Sequence, residues 1–499
     1  MRWMERVRDM IRSWLEIQPA AGRGLTIQEP VSHATNVLRN RIWYRGDASE
    51  LDQLFKLLGD DAVGRARFWA AAPHNETIRK AHSGLPGIMV DTLAGVVKAD
   101  LADLDFGDDK EAASRWERIA EDNRFPNLVS QAVADTLVTG DGAFKISLDT
   151  QVSDGPILEF WGADRVEYVQ RHGRICEIHF LSPVGDRGRM LKEIYEPGSV
   201  RYELLDGEKE IPLEGEEECA GLQPVTFDGD FMLAVPLQFW PSSRWRGRGQ
   251  SIFDKKTDAF DAHDEIISQW MDAVRAGRVQ KYIPESLIPH SEKDGTLCSV
   301  DSFGTQFVKL ETDNRESAQN KIDTVQPEIR YEAFLASYTS TLNMCLQGVM
   351  SPATLGIDVG KMSSAEAQRE KKDVTGMTRN AITDALEIAL PQLAQAALAA
   401  SDILEEKKPG EYNAAVSFGE YGAPDFDSRV ETISRAATGS IMSVEAQVDE
   451  LWGSSKDEDW KKAEVQRIRE ERGILELDEP SVGEEAGAAV MGFQAPDGR

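Results

Sequence analysis

The sequence has few residues of the kinds that build disulfide frameworks, zinc sites or imidazole-based active sites. Its 499 residues include 4 cysteines and 7 histidines, and the cysteines at positions 176, 219, 298 and 345 form no Cys-x-x-Cys pair. Such scattered cysteines argue against a zinc ribbon or a disulfide framework and fit a reducing compartment. Neither a Gly-x-Ser-x-Gly nor a Gly-x-x-x-x-Gly-Lys stretch occurs. We therefore expect no enzyme, with no catalytic residue, metal or cofactor.

Long uninterrupted hydrophobic runs are also missing. The most apolar stretch, 385–400, contains Glu387, Pro391, Gln392 and Gln395 and cannot span a membrane. Charges interrupt every apolar run near the amino terminus, so no secretory signal is expected there. We expect a soluble chain with no membrane partner.

Residues 1–17 form a basic amphipathic pattern. Trp3, Val7, Met10, Trp14 and Ile17 recur at helical spacing, with Arg2, Arg6, Arg8 and Arg12 between them. Such a helix can lie on a membrane. The commoner use, packing on its own protein, is the preferred interpretation.

Acidic residues outnumber basic residues in this chain. The chain has 56 Lys and Arg against 86 Asp and Glu, a formal net charge of -30. This balance argues against loose, sequence-independent adhesion to nucleic acid or anionic membranes, so any DNA contact must be local, and its main interpretation is a solvated, soluble surface. The length is typical of about three domains.

Two helical patterns joined by a small insertion dominate the centre of the chain. The first is predicted from Ser251 to Gly277, and at about 100° per residue its acids cluster within roughly 60°. This acidic stripe comprises Asp254, Asp258, Asp261, Glu265 and Asp272. The opposite side is an apolar seam, predicted to pack against other subunits, of Phe253, Phe260, Ile267, Trp270 and Val274, with Ile252 and Met271.

The second helix is predicted from Glu328 to Val349. Between the two helices, the alternating run 305–310 suits a strand in a small inserted subdomain. After them, Pro352, Gly356 and Gly360 predict a mobile loop over Met350–Met362. The capping-box spacing of Ser363 and Glu366 then predicts a new helix that continues to about Leu404.

The flanking regions predict an α+β body. Helical patterns dominate 1–140, and strand patterns follow at 144–148, 157–161, 175–180, 191–195, 200–205, 232–240 and 412–418. The Glu-rich stretch 206–220 is expected to be an exposed hairpin tip or loop without assigned function. Three short helices are predicted at 427–437, 444–451 and 458–471, and the Gly-rich tail from 478 is expected to be disordered.

This order of parts resembles the portal protein of long-tailed, siphovirus-type bacteriophages. Four short sequence motifs carry the resemblance. In chain order they are Gly247-Arg-Gly249-Gln-Ser-Ile-Phe253-Asp, Ser351-Pro-Ala-Thr-Leu355-Gly356, Ser363-Ser-Ala-Glu366-Ala and Val416-Ser-Phe418-Gly-Glu-Tyr421. The resemblance implies a mainly helical α+β subunit that assembles into a ring, of twelve subunits in that family. It implies a wing (1–248), two stem helices (249–277 and 328–349), a clip (278–327), a tunnel loop (350–362), a long wing helix with a last strand (363–424), a helical crown (425–477) and a tail (478–499).

The resemblance also implies functional positions and partners. The acidic stripe would line a channel for double-stranded DNA at one capsid vertex of the virion. The tunnel loop would contribute Ser351, Pro352, Thr354, Gly356, Asp358, Gly360 and Lys361. The expected partners are a packaging motor (terminase) that hydrolyses ATP, the major capsid and scaffold proteins, and a head-tail adaptor.

Several interpretations stay open at this stage. Arg275, Arg278 and Lys281 either complement the negative end of a helix macrodipole or contact DNA phosphates near the clip. Gly247-Arg-Gly249 is interpreted as a flexible joint rather than a phosphate-binding loop, because it lacks the third glycine.

Two rival classes of function also remain. One is a metal-dependent hydrolase that uses the cluster Asp258, Asp261, His263, Asp264 and Glu265, although His263 should project away from Asp261 and Glu265. The other is a different oligomeric minor head or tail protein.

Overall fold

The computed structural model describes residues 17–471, with gaps. The gaps are 21–23, 28–30, 59–66, 71–78, 186–187, 208, 220, 278–279, 285–305, 311–322, 327, 358–364, 420–425, 440 and 454–457. Within these residues the fold is α+β, with helices predominating. The helix expected over 1–17 lies outside the described residues except for Ile17, which begins a strand. The tail from 478 also lies outside them.

The amino-terminal part is a hairpin followed by a helical layer. The strands are β1 (Ile17–Ala20) and β2 (Gly24–Ile27), and the helices are α1 (His33–Arg45), α2 (Ala48–Leu58), α3 (Leu85–Asp100), α4 (Lys110–Asp122) and α5 (Phe125–Thr139). Ser32 caps α1 by accepting a hydrogen bond from the Thr35 amide, and Gly46 ends it in the left-handed conformation. Fully buried side chains such as Trp43, Leu93 and Val129 join these helices to the main core.

Two antiparallel sheets follow. The first, in the order β11-β3-β4, consists of β3 (Asp141–Ser147), β4 (Ile157–Gly162) and β11 (Ala234–Gln238). The second runs β10-β8-β7-β6-β5, with β9 paired to β8. Its strands are β5 (Val166–Arg171), β6 (Arg174–Val184), β7 (Arg189–Glu196), β8 (Ser199–Asp206), β9 (Lys209–Ile211) and β10 (Val225–Thr226).

Most of the strand predictions in this region are confirmed, although β5 and β10 were not predicted. The Glu-rich stretch holds the β8–β9 hairpin and a 3₁₀ turn (Leu213–Gly215), as expected. Arg189 forms an ion pair with Glu216 at 2.7 Å. The strand predicted at 412–418 is wrong: Ala415 and Phe418 form single bridges to Asp105 and Leu101. The segment therefore lies across the α3–α4 connection as extended chain that pairs at two points only.

The central helices are α6 (Thr257–Ala276) and α7 (Tyr331–Leu346). Between them lie β12 (Gln280–Pro284), β13 (Gln306–Leu310) and β14 (Asp323–Val325), which form a sheet in the order β13-β12-β14. The strand predicted at 305–310 is confirmed as β13, while β12 and β14 were not predicted. A long helix, α8 (Ala365–Leu404), follows and contains Pro391.

Residues 422–499 form a second compact unit. Its described part contains α9 (Phe426–Thr438), α10 (Val444–Trp452) and α11 (Glu458–Glu471), within one or two residues of the predicted bounds. Ser443 caps α10 by accepting from the Ala446 amide. Trp452 and Trp460 pack edge to face, with ring centroids 5.5 Å apart. These contacts fix the two helices in an antiparallel pair within this unit.

Candidate functional site

The α6–α7 helix pair is antiparallel, with contacts distributed along its length. At its base, Lys256 donates hydrogen bonds to the Met344 and Gln347 carbonyl oxygens at 2.9 and 2.6 Å. These are carbonyls at the carboxyl end of α7, where a cation also meets the negative end of the helix dipole. Farther out, the rings of Trp270 and Phe334 stack with centroids 6.2 Å apart.

The helix pair is rooted in the body of the subunit at one end. The residues buried in the main core are Phe253 in the turn before α6, Phe260 in the first turn of α6, and Leu342, Cys345 and Leu346 at the end of α7. The outer half is much more exposed, because the body of the subunit does not cover it. Val274, Tyr331 and Leu335 are 52%, 61% and 51% exposed.

The first stem helix begins later than predicted. Residues 252–256 form turns, and α6 starts at Thr257. The Asp254 carboxylate accepts hydrogen bonds from the Ser251 amide at 3.0 Å and from the side chains of Asn36 and Asn40 at 2.8 and 3.0 Å. Asp254 thus stabilises the turn before α6 and links it to α1.

Two further carboxylates of α6 hold segments of the helical layer. Asp261 accepts from the Phe68 and Trp69 amides at 2.9 and 3.2 Å. Asp264 accepts from the Trp69 indole at 3.1 Å, lies 2.6 Å from Nδ1 of His82, and accepts from the amide and hydroxyl of Ser83 at 3.0 and 3.1 Å. Asp254, Asp261 and Asp264 therefore connect the base of the α6–α7 pair to the helical layer.

Burial perturbs several titratable groups at this base. Burial raises the pKa of Asp261, although the amides that it accepts from act in the opposite direction. Burial also lowers the pKa of His263, whose Nδ1 lies 2.9 Å from the Thr341 hydroxyl. His33 is affected most, with a pKa lowered to about 4 by burial and by the positive charge of Arg248.

Hydrogen bonds and an ion pair hold the Gly247-Arg-Gly249 segment, the expected flexible joint. The Gly249 amide donates to the Asp141 carboxylate at 2.6 Å, and Arg248 forms an ion pair with the same carboxylate at 2.8 Å. Arg248 also donates to the Val166 and Ala163 carbonyl oxygens. Gly249 passes so close to Gly140 that a Cβ at Gly249 would lie 2.0 Å from the Gly140 oxygen. The Gly249 amide and the Arg248 side chain, which a phosphate-binding loop would direct to a phosphate, both contact the Asp141 carboxylate. The geometry therefore gives no support to the phosphate-loop alternative.

The predicted acidic stripe is divided by the structure. Asp254 and Asp261 are each 7% exposed and engage the subunit's own chain, so these two are not part of a solvent-facing stripe. Asp258 stays exposed, at 83% of its side chain, and forms an ion pair with Arg67. Glu265 and Asp272 are partly exposed. The accessible acids are therefore Asp258, Glu265 and Asp272.

The predicted apolar seam is divided as well. Phe253 and Phe260 lie in the core of their own subunit, so their assignment to subunit packing is wrong. Ile267 and Trp270 are partly buried, and Trp270 contacts α7. Val274 is exposed together with Met271. The inner half of the seam thus packs within the subunit, and the outer half is left uncovered.

The first half of the predicted tunnel loop is an ordered turn docked on α8. Pro352–Leu355 form a 3₁₀ helix capped by Ser351 and ended by Gly356 in the left-handed conformation. The Ser351 amide donates to the Thr375 hydroxyl at 2.9 Å, and the Thr378 hydroxyl donates to the Val349 oxygen at 2.6 Å. The prediction that this half has no regular structure is therefore wrong, and its mobility stays a prediction. Asp358, Gly360 and Lys361 lie outside the described residues.

The basic residues near the clip are described only in part. Arg275 is exposed in the last turn of α6. Arg278 lies outside the described residues, and the side chain of Lys281 is not described. The choice between a helix-dipole role and a DNA-contacting role for this group stays a prediction.

The proposed metal cluster does not form where the structure describes it. Within the described ranges, no three His, Cys, Asp or Glu side chains are grouped so that they could hold a metal ion. His263 faces Thr341 and Tyr338 on α7, whereas Asp261 and Asp264 face the helical layer. The metal-hydrolase alternative therefore lacks a ligand set here.

In the described part of the chain, no helix combines the length and apolar content needed to cross a bilayer.

Sequence reasoning missed the donors that define this base: Asn36, Asn40, Trp69, His82 and Ser83. They are about 180 to 220 residues from their acceptors in sequence. No local pattern signals such a pairing. The sequence held one hint that some of these carboxylates bind distant donors: many carboxylates lie on a helix that also carries an apolar seam.

No protein-family model and no curated protein matches this sequence. Among solved structures, a chain in the virion of the native gene transfer agent (GTA) particle is similar at 12% identity and a TM-score of 0.37, over 84% of this chain and 92% of that one. A chain in the neck of the native GTA particle, computed with C12 symmetry, has 12% identity and a TM-score of 0.39, over 76% and 89% of the two chains. A chain in the neck of the empty particle, computed with C6 symmetry, has 12% identity and a TM-score of 0.38, over 78% and 98%. With TM-scores this low, no functional argument rests on these similarities.

Proposed function

We propose that this chain is a portal-type subunit of a phage-like particle, which assembles into a ring around a channel for double-stranded DNA. The observation that carries the proposal is the uncovered apolar surface on the outer half of the α6–α7 pair. Val274, Tyr331, Leu335 and Met271 are all exposed there, on helices whose inner halves are buried. Several exposed apolar residues at the same end of a helix pair are typical of an interaction surface.

A ring of identical subunits would cover this surface through one kind of contact, repeated between neighbours. In a cyclic assembly each subunit presents one face of its helix pair to the next, and every copy is satisfied in the same way. The small inserted sheet at the tip of the helix pair would then be repeated around one end of the ring, where it offers a docking surface. This arrangement supports the clip assignment and the expected adaptor and terminase contacts.

The accessible acids suit a channel lining. DNA carries one negative charge per ~1.7 Å of axis, so a basic lining would gain affinity with each phosphate that it neutralised and would hold the duplex. Asp258, Glu265 and Asp272 would repel it instead. Within a ring, carboxylates of neighbouring copies would lie within about a Debye length of ~8 Å, which softens the field but keeps its sign.

The remaining assignments follow from the same proposal. The ring would occupy one capsid vertex of the virion, contact the major capsid and scaffold proteins, and serve genome packaging, retention and ejection. Residues 350–362 would approach the DNA, with Met350–Leu355 as a fixed base on α8.

Negative-stain imaging of the purified full-length chain tests the proposal. We expect channelled rings with a narrow stem. Solid or filamentous assemblies would favour another minor head or tail protein. Particles of single-subunit size at all concentrations would contradict ring formation.

A further inference from the structure

A groove lies on the helical layer, away from the α6–α7 helix pair in sequence. It has a volume of about 580 Å³ and lies between α4, the start of α5 and the segment that follows α3. Trp116 and Phe125 line it, with ring centroids 5.0 Å apart in an edge-to-face pair. Leu101 and Leu104 also line it, and Leu101 is bridged to Phe418. The groove is therefore a built apolar surface.

The rim of this groove is acidic. Its lining includes three exposed carboxylates, Asp103, Glu117 and Glu121, and one cation, Lys110. Glu117 and Glu121 are one helical turn apart on α4, so they project from the same side. Asp103 lies on the chain that enters α4. A groove lined by apolar side chains and by exposed carboxylates is complementary in charge to an apolar helix face flanked by cations.

The sequence contains one segment with that pattern at its amino terminus, outside the described residues. At about 100° per residue, Trp3, Val7, Met10 and Trp14 share a helix face with Ile11 and Leu15. In this projection Arg2 and Arg6 flank the face on one side, and Arg8 and Arg12 flank it on the other. Glu5, Asp9 and Glu16 fall opposite, away from any acidic rim.

We propose that this groove binds residues 1–16 of the chain as an amphipathic helix. At about 1.5 Å per residue, 16 residues span about 24 Å, enough to cover the length of α4. The two tryptophans would bury their rings between Trp116, Phe125 and the leucines. The arginines would extend their apolar stems along the margins and pair with Asp103, Glu117 and Glu121.

Hydrogen exchange of the full-length protein, measured by mass spectrometry, tests this inference. In the unchanged protein, amides of residues 3–14 exchange slowly. The Glu117→Arg/Glu121→Arg variant speeds their exchange by about five- to tenfold, since two surface ion pairs are replaced by like-charge contacts. The matched control, Asp384→Arg/Glu387→Arg, makes the same charge change on the exposed face of α8 and leaves the segment protected.

A charge exchange separates docking from general destabilisation. Two combined variants add either Arg2→Glu/Arg6→Glu or Arg8→Glu/Arg12→Glu to the groove variant. We expect one of them to restore slow exchange. The pair that does so is the one that faces Glu117 and Glu121, and this gives the orientation of the helix. Rapid exchange of residues 3–14 in the unchanged protein overturns the proposal, as does protection that the groove variant leaves intact. Protection that arises only with phosphatidylserine vesicles would assign the segment to a membrane surface and would equally overturn it.

Discussion

At the scale of single residues, the acids of α6 and of the turn before it serve two different purposes. Asp254, Asp261 and Asp264 are buried and accept hydrogen bonds from α1 and from the segments at Phe68–Trp69 and His82–Ser83. Asp258 is exposed and forms an ion pair with Arg67. Composition and spacing place all these residues on one helix, but only long-range packing shows which of them are anchors.

Asp264→Ala should destabilise the subunit strongly. It leaves the Trp69 indole and the donors of His82 and Ser83 without their acceptor in a buried site, which costs about 3 kcal/mol or more. The free energy of unfolding from urea titration measures this. Asp258→Ala is the matched control, and it should change that free energy by less than about 1 kcal/mol. Equal effects of the two substitutions would contradict the anchoring role.

His33 should contribute to acid sensitivity. Burial and Arg248 lower its folded-state pKa to about 4 from 6.5, so the unfolded chain takes up the proton first. The stability associated with neutral His33 is therefore complete above pH 6.5 and is lost as the pH falls towards about 4. In His33→Gln, the difference between the urea midpoints near pH 7 and near pH 4 should shrink. His172→Asn, in the exposed β5–β6 turn, is the control, and an unchanged difference in His33→Gln would contradict this account.

At the scale of elements, the periodic sequence patterns predicted which helices and strands exist better than they predicted where those elements begin and end. The three helices of the second unit and most strands of the two sheets lie close to their predicted positions, because each has a clear period and clear breaks. Three predictions failed where tertiary contacts override local signals. Asp254 stabilises a turn where a helix was expected. Thr375 and Thr378 hold a 3₁₀ turn where no regular structure was expected, and the 412–418 segment pairs with the α3–α4 connection at two points only.

The close passage of Gly249 against Gly140 should tolerate no side chain. A Cβ at Gly249 would lie 2.0 Å from the Gly140 oxygen and 2.5 Å from its carbonyl carbon, so backbone must move. We expect Gly249→Ala to lower the free energy of unfolding by about 2–4 kcal/mol. Gly95→Ala, in the middle of α3 with no atom within 4 Å of the added Cβ, should raise it by about 0.5–1 kcal/mol. A neutral Gly249→Ala would show that this junction is loose.

At the scale of the whole molecule, the helix pair joins a buried base to an uncovered outer half. The base could be recognised from sequence as a helical hairpin with an insertion, and the order of parts pointed to a ring-forming subunit. The division between inner and outer halves could not be predicted, because the residues that bury Phe253 and Phe260 are far away in the chain.

Replacing the accessible acids should impair DNA movement without preventing assembly. In Asp258→Lys/Glu265→Lys/Asp272→Lys the channel would attract phosphates, so translocation in a packaging assay should slow or stall. The matched Asn and Gln replacements should have a milder effect. Loss of assembly in the Lys variant would place these acids in a subunit contact, and normal packaging would contradict the electrostatic account.

Native mass spectrometry of the full-length chain, across concentration and salt, tests the central claim most directly. The account predicts one closed oligomer whose mass is a fixed multiple of the subunit mass. It also predicts that Val274→Glu/Leu335→Glu yields folded monomers, because charges then occupy the uncovered half of the helix pair. The control Val152→Glu/Val225→Glu places the same charges at exposed positions of the sheet region and should keep the oligomer. An unchanged protein that stays monomeric and folded under all conditions would contradict the account.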